Sequence, residues 1–455
     1  MGKLNKDNLR KTVYYLKKNG IRNTMYAVAE RLQPKETDSY TYMEPAKEVL
    51  DRQRETVWEN PVTFSILVPV FHTPPQYLKE LIESLRAQTY SFFQLLFLDA
   101  STDEEKAAVL KALSEGYGDA RIQYYKLKEN KGIAENTNAG IPYATGEYMA
   151  LLDHDDLLTP DALHEMATAI KEAKDRQITL QMIYSDEDKC NGDGQRFFEP
   201  HYKKDFDPDL LLTNNYICHF TAVKAELFTD LKLRGEYNGA QDFDLVLRVA
   251  GRFWDCPEVI CHIPKILYHW RCHEASTAAN PASKTYAYEA GKRAVEAFVT
   301  DKGWKATVEH LKHLGFYKVS YKGDIFTQRP NVAVVGGSLI GVRKRITGGL
   351  CDARGNVIYK GLRKGFSGYM NRAVLTQRAE GLDIRCMRLN PACEEVLQKC
   401  LQKQGLTYVR TDDRNVRTKI KEEITDWMGI SRTLSTDLRE AGYVLLWDPG
   451  WFEKE

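Results

Sequence analysis

From Pro61 to the helix after Thr159, short apolar runs alternate with amphipathic stretches, and this alternation constrains the fold more than any other feature of the chain. Phe64–Val70 (FSILVPV) reads as a buried strand, and Gln94–Leu98, Ile122–Lys126 and Tyr148–Leu152 as three more. Between them lie helical stretches. Gln76–Gln88 carries an apolar stripe of Leu78, Leu81, Ile82 and Leu85, and Asp103–Leu113 and Ile133–Ala144 follow. Thr159 caps a further helix with Pro160 at its first position. Strand–helix alternation of this kind predicts an α/β fold, with a parallel sheet covered on both faces. Ligands of such sheets sit beyond the carboxyl ends of the strands. The residues there are Phe71, His72 and Thr73; Asp99; Glu129-Asn130-Lys131-Gly132; and Asp153-His154-Asp155-Asp156. Acids, a lysine–glycine turn and a helix N-terminus thus converge on one edge, a place for a phosphate-bearing ligand with a divalent metal.

A chain of 455 residues has room for two to four domains, and its texture changes twice. Residues 1–60 read as a helical segment, basic at its start, where Leu9, Val13, Tyr15 and Leu16 recur among Lys6, Arg10, Lys11, Lys17 and Lys18. Such a helix lies on an anionic membrane surface or packs on its own protein with a solvated lysine face. Residues 61–320 hold the alternating region. Residues 321–455 form a smaller zone with strands at Asn331–Gly336 and Tyr443–Trp447 and helices at Glu394–Gln404 and Ser435–Ala441. A hairpin turn is expected at Asp352–Asn356, before Val357-Ile358-Tyr359. With 64 Lys+Arg against 63 Asp+Glu, the net charge of +1 argues against bulk nucleic-acid binding. The lysine-rich first twenty residues have no apolar core of a signal peptide, and Lys6 stands where a myristoylation signal needs Ser or Thr. Apolar runs fall far short of the ~20 residues of a membrane span, and nine scattered cysteines do not read as a disulfide framework. The expectation is a soluble cytoplasmic protein.

The sharpest chemical feature is Asp153-x-Asp155 at a strand end, two carboxylates that can bind a hard divalent cation through oxygen. Acids in loops are more often simply solvated, and it is the position after the fourth strand that sets this pair apart. A second constellation, Gly239-Ala240-Gln241-Asp242-Phe243-Asp244, opens an apolar helix. Acids there cap a helix and complement its dipole, which accounts for Asp244, while Asp242 is a candidate general base. A third, Tyr268-His269-Trp270-Arg271-Cys272-His273 running on to Thr277, offers a histidine to the metal site and Arg271 to a phosphate. Single histidines of this kind are more often structural hydrogen-bonding groups. Zinc at Cys256, Cys261, His262, Cys272 and His273 is disfavoured, because the spacing is not Cys-x2-Cys and Cys261 and His262 point to opposite faces of a strand.

Taken in order, SILVPVF (65–71), LDASTD (98–103), NKGIAENTN (130–138), LLDHDD (151–156), YSDEDK (184–189), QDFDL (241–245) and LYHWR-x-H (267–273) resemble a family 2 glycosyltransferase of GT-A fold. The likeness spans residues 61–320 and is greatest to bacterial enzymes of rhamnan, O-antigen and other surface-polysaccharide synthesis. It implies a Rossmann-like, mostly parallel sheet with helices on both faces that binds a nucleoside-diphosphate-sugar. By the same resemblance Pro69, Phe71 and Asp99 hold the base, and Lys131 approaches the nucleotide. Asp153 lies near ribose and metal, Asp155 and His273 bind Mn2+ or Mg2+, and Asp242 is the catalytic base. Ala100 departs from the pattern, standing where the family often has a second acid or Gly. Asn214-Asn215-Tyr216 lies where the acceptor side is expected. Residues 321–455 resemble a degenerate back half of a second such domain, with Ser431 and Thr433 opposite Asp242 and Asp244, and so a non-catalytic accessory zone. The implied activity is inverting and metal-dependent. It transfers from a UDP- or dTDP-sugar to a glycan or lipid-linked glycan acceptor, with peripheral association at the inner membrane face. The alternatives are a metal-independent hydrolase with paired carboxylates and a non-catalytic nucleotide-sugar-binding scaffold of a polysaccharide assembly complex.

Overall fold

In the computed structural model, which describes residues 6–33, 36–273 and 285–455, the first described element is α1 (Lys6–Arg31), broken at Gly20 where φ is 75°. Helix α2 (Lys47–Arg54) precedes the alternating region. There the order is β1 (Phe64–Val70), α3 (Pro75–Arg86), β2 (Phe93–Asp99), α4 (Glu104–Gly116), β3 (Ile122–Lys126), α5 (Ile133–Asn138), β4 (Tyr148–Leu151), β5 (Leu157–Leu158) and α6 (Ala162–Asp175). Then come β6 (Met182–Asn191), β7 (Phe197–His201), α7 (Pro208–Leu211), β8 (Thr221–Lys224), α8 (Ala225–Leu231), α9 (Gln241–Arg252), β9 (Ile260–Cys272) and α10 (Thr285–Asp301). The chain divides into two compact units. Residues 34–206 and 215–298 make one; the stretch up to residue 33, residues 207–214 and residues 299–455 make the other.

The first unit is built on a nine-stranded sheet in the order β3-β2-β1-β4-β8-β6-β9-β5, with β7 paired to β6. Strands β3, β2, β1 and β4 are parallel, β8 runs antiparallel to both β4 and β6, and β6 and β9 are again parallel. All seven residues of β1 are buried, as a strand covered on both faces requires. The stripe Leu78, Leu81, Ile82 and Leu85 of α3 is buried as the spacing predicts. Full burial of each such side chain contributes about 1.5–3 kcal/mol. Register does the positioning: Val70 pairs with Asp99, Asp99 with Lys126 and Leu67 with Leu151, so the strand-end loops open on one edge.

In this unit α5 and α6 differ from expectation. The run predicted as Ile133–Ala144 stops at Asn138 and becomes a 3-10 turn at Ile141–Tyr143. Pro142 donates no backbone hydrogen bond, and Gly140 sits where a Cβ would come within 2.6 Å of Leu98 Cδ1, so the chain hugs the sheet. Helix α6 begins at Ala162, because Thr159 turns its hydroxyl to Asp161 Oδ1 at 2.7 Å and its carbonyl to Gln88 Nε2 at 2.6 Å, leaving Pro160 in the preceding turn.

The other unit contains the hairpin β10 (Ala306–His310) and β11 (Tyr317–Tyr321), then α11 (Ile325–Gln328), β12 (Val332–Ile340), β13 (Ile346–Gly348), β14 (Leu350–Cys351), β15 (Gln377–Arg378), β16 (Gly381–Leu382), β17 (Met387–Leu389), α12 (Glu394–Lys403), α13 (Trp427–Glu440) and β18 (Val444–Lys454). Its larger sheet runs β13-β12-β18-β15, with β17 on β12. Leu397, Leu401, Leu434 and Leu438 of α12 and α13 share a core with Trp447. The turn at Asp352–Asn356 forms, Asp352 N–H donating to Asn356 O at 3.0 Å. Helix α13 starts eight residues before the predicted Ser435, with Asp426 accepting from Gly429 N–H at 2.8 Å as its cap. Helix α1 packs within this unit. Lys312 Nζ donates to Asn23 Oδ1 at 2.9 Å, and Glu30 accepts from the N–H groups of Ser367 and Gly368. The side chains of Lys6, Leu9, Arg10 and Lys11 lie outside the described residues, as do Glu274 to Thr277. No described helix is long and apolar enough to cross a membrane.

Candidate active site

At the end of β2, Asp99 is fully buried. Its Oδ1 accepts from Ser101 N–H at 2.8 Å, its Oδ2 from the Tyr124 hydroxyl at 2.7 Å, and Lys126 Nζ lies 3.9 Å away. Ser101 Oγ in turn accepts from His72 N–H at 2.9 Å. The carboxylate therefore locks the loops after β1 and β2 to each other. Pro69 is buried within β1, whereas Phe71 is 43% exposed and stacks on the His72 ring at 4.2 Å, presenting an aromatic face at the edge. Lys131 is exposed and pairs with Glu129 at 2.9 Å. The turn after it requires glycine: Gly132 has φ 89°, and a Cβ there would come within 2.6 Å of Asn238 Nδ2. Asn238 Oδ1 accepts from Ala134 N–H at 3.0 Å, so this turn is tied to the residues that lead into α9.

The acids after β4 separate by environment. Asp156 is buried, accepting from the Tyr268 hydroxyl and from Arg271 N–H, and burial followed by the charges of Asp155 and Asp153 pushes its pKa far up. Asp155 faces His273, whose Nε2 lies 2.7 Å from Oδ2. Asp153 is half exposed, with His219 Nε2 at 3.8 Å. Arg271, expected to meet a phosphate, instead has a buried guanidinium. Its Nε donates to Asp155 O at 2.5 Å, and its Nη2 pairs with Glu80 at 2.7 Å. It braces the acidic loop through Asp155 O and Asp156.

At the start of α9, Asp242 Oδ2 accepts from Asn215 Nδ2 at 2.8 Å. Burial raises its pKa; the charge of His219 and the helix-start N–H groups pull the other way and do not cancel the rise. Asp244, two residues on, is wholly buried between Arg234 and Arg248, and so does not act as a cap. One segment links Asp242 to the strand-end acids. Asn215 Oδ1 accepts from Cys218 N–H at 3.2 Å, and His219, the next residue, reaches from Glu187 at 3.2 Å toward Asp153. Burial alone would lower the His219 pKa, but the hydrogen bond and charge of Glu187, with Asp153 and Asp156, outweigh it and raise the pKa to about 9. Lys203, also buried, pairs with Glu187 at 3.0 Å and donates to the carbonyls of Ile217 and His219.

Two groups of side chains carry metal-ligating atoms. Asp155 and His273, 2.7 Å apart and partly open to solvent, offer a carboxylate and an imidazole of the types that suit Mn2+ or Mg2+, with Asp153 two residues before on the same loop. Among the described residues, only Glu187, Cys218 and His219 form a group of three whose ligand atoms all lie within 4.8 Å of one another. There, however, Lys203 already neutralises Glu187, and burial raises the Cys218 thiol pKa well above its ordinary value, which opposes thiolate formation. Of the zinc candidates, His262 has both ring nitrogens on carboxylates, Asp186 at 2.9 Å and Asp205 at 3.0 Å.

Residues 65–231 match the family described as Glycosyl transferase family 2. The sheet unit holds a family 2 glycosyltransferase domain. The match includes Asp99, Lys131, Asp153 and Asp155 and stops before Asp242 and His273. An uncharacterized protein of Sinorhizobium fredii is 40% identical over 240 residues, covering 52% of this chain and 25% of that protein. An O-antigen biosynthesis protein of Myxococcus xanthus is 32% identical over 246 residues, covering 54% and 18%. The chain thus spans a quarter or less of the length of these relatives. Residues 1–349 of S. aureus TarS are a structural neighbour at 18% identity, with a TM-score of 0.39 over 52% of this chain and 66% of that one.

The α/β architecture of the glycosyltransferase domain is the one the resemblance implied. Sequence reasoning missed His219 and Lys203. Their signal is weak, since Cys218-His219-Phe220 merely precedes a short strand and Lys203 sits in a polar loop.

Proposed function

We propose that the chain is an inverting glycosyltransferase of surface-polysaccharide synthesis, moving a sugar from a UDP- or dTDP-sugar to a hydroxyl of a lipid-linked glycan. The reading is carried by one observation: Asp242, made more basic by burial, is joined through Asn215–His219 to the Asp153-x-Asp155 edge. The acceptor hydroxyl gives its proton to Asp242 as its oxygen attacks the anomeric carbon, and the bond to the diphosphate breaks on the opposite side. Phe71, Asp99 and Pro69 form the base side, Lys131 approaches the phosphates, and Asp153 the ribose. Asp155 and His273 would hold a Mn2+ or Mg2+ ion, which when bound supplies Lewis-acid stabilisation of the leaving diphosphate. His219, with a pKa of about 9, adds positive charge beside Asp153 at neutral pH. A screen of nucleotide-sugars for metal-dependent nucleotide release in the presence of glycan acceptors tests the reading. Donor binding with no release on any acceptor would favour a scaffold, and glycoside cleavage without nucleotide would favour a hydrolase.

A further inference from the structure

A cavity of about 310 Å³ lies inside the unit that contains residues 299–455, between α1 and the loops around β18. That volume is at the lower end of small-ligand pockets. Its walls are aromatic. Tyr26 meets Phe366 edge-on at 6.3 Å, Tyr15 lies 5.5 Å from His313, and Phe452 faces inward from β18. Its charged groups are unequal. Of the acids, Glu30 has both oxygens engaged by the N–H groups of Ser367 and Gly368, and Asp448 accepts from Gly450 N–H. Of the cations, Lys364 stands over the Phe452 ring at 3.7 Å, Lys312 is held by Asn23, and Lys318 lines the wall. Neither Lys318 nor Lys364 is ion-paired among the described residues. Burial, then the charges of Lys312 and Lys18, holds the His313 pKa below its ordinary value.

From these aromatic walls and ammonium groups outside any ion pair we infer that the cavity binds an acidic saccharide, a sugar bearing a carboxylate or a phosphate. Flat rings match the apolar faces of sugar rings, and lysines meet an anion as point charges without demanding one geometry. A neutral sugar leaves the lysines unused, and a bare anion leaves the rings unused. The cavity shares no residue with the donor side, so it stands or falls apart from the glycosyl-transfer reading.

Calorimetry on the full chain tests it, with a uronic-acid tetrasaccharide, a phosphate-bearing tetrasaccharide, neutral maltotetraose and inorganic phosphate as probes. At least one acidic tetrasaccharide should bind ten-fold or more tighter than both maltotetraose and phosphate, and the better of the two identifies the anion. Lys318→Ala with Lys364→Gln should weaken that binding at least ten-fold, and so should Tyr26→Ala, with thermal melting confirming that each variant folds. Lys364→Gln alone, an exposed change, should still weaken it measurably. Asp155→Ala should leave it unchanged. No binding of either acidic tetrasaccharide at millimolar concentration, or binding unaffected by the cavity variants, overturns the inference. Inorganic phosphate or maltotetraose binding as tightly overturns it as well.

Discussion

Asp242 gains basicity from burial, yet Asn215 holds one of its oxygens in place, a combination that suits a group that must accept a proton from one direction. Asp242→Asn keeps the shape of the helix start and removes the carboxylate. The variant is expected to bind donor nearly as the parent does and to transfer sugar at least about a hundred-fold more slowly, measured at saturating donor. Asp244 cannot take over the role, because two arginines enclose it. Loss of donor affinity with turnover kept at saturation would make Asp242 a binding residue. In the proposed reaction Asp155 serves the donor. Asp155→Ala should abolish most metal-dependent binding of a nucleoside diphosphate in calorimetry while the fold survives, and equal affinity after thorough chelation would sink the metal role. Asp155 was readable because a strand end announces it, and Asp242 because it opens an apolar helix. His219 was not: its charge depends on Glu187, 32 residues earlier, and on burial, neither of which leaves a local pattern.

Elements were legible where local physics decides them. The bounds of β1 and β3 follow from apolar runs, and α3 from a 3.6-residue stripe. The order β8-β6-β9-β5 was not, since an antiparallel strand inserted between β4 and β6 reflects pairings far apart in sequence. The early end of α5 was hidden for a similar reason, as the crowding of Gly140 comes from Leu98 and Leu67 on other strands. Between β3 and α9 the coupling runs through Gly132 and Asn238. At φ 89° and ψ 164° the backbone of Gly132 is in a region other residues reach only at about 1–3 kcal/mol. Gly132→Ala should therefore lower the unfolding free energy by an amount in that range, read from urea denaturation. Because its methyl group displaces Asn238, it should also weaken donor binding, read by the same calorimetry. Unchanged affinity in a destabilised variant would show that the turn supports the fold alone.

On the scale of the whole molecule, the chain leaves the glycosyltransferase unit at residue 206, contributes residues 207–214 to the other unit and returns at Asn215, the residue that holds Asp242. The excursion is anchored by Asp209 of α7, buried and bonded to Arg329 and Arg378. Burial alone would raise the Asp209 pKa, but the two arginines outweigh it and hold the carboxyl below its ordinary value. A depressed carboxylate contributes stability that is fully present above the unfolded value of about 4 and is lost as pH falls through the lower folded value. Arg329→Met leaves Asp209 with one arginine and a poorly compensated buried charge, at a cost of about 3–5 kcal/mol. Because residues 207–214 are covalently continuous with Asn215, the variant should lose turnover through misplacement of Asp242, with metal and donor affinity nearly kept. Its acid unfolding should lose the part of the pH dependence below about 4 that Asp209 provides. Ser431, opposite Asp242 in the resemblance, offers the contrast. It is buried, donates to Trp427 O at 2.6 Å and accepts from Ile384 N–H at 3.0 Å. Ser431→Ala with Thr433→Ala should cost about 1–3 kcal/mol from the stranded N–H and leave turnover at permissive temperature within a few-fold of the parent. If Arg329→Met melted earlier yet turned over at the parental rate, residues 207–214 would be an anchor for stability alone, and the hold on Asp242 would be local to Asn215–His219.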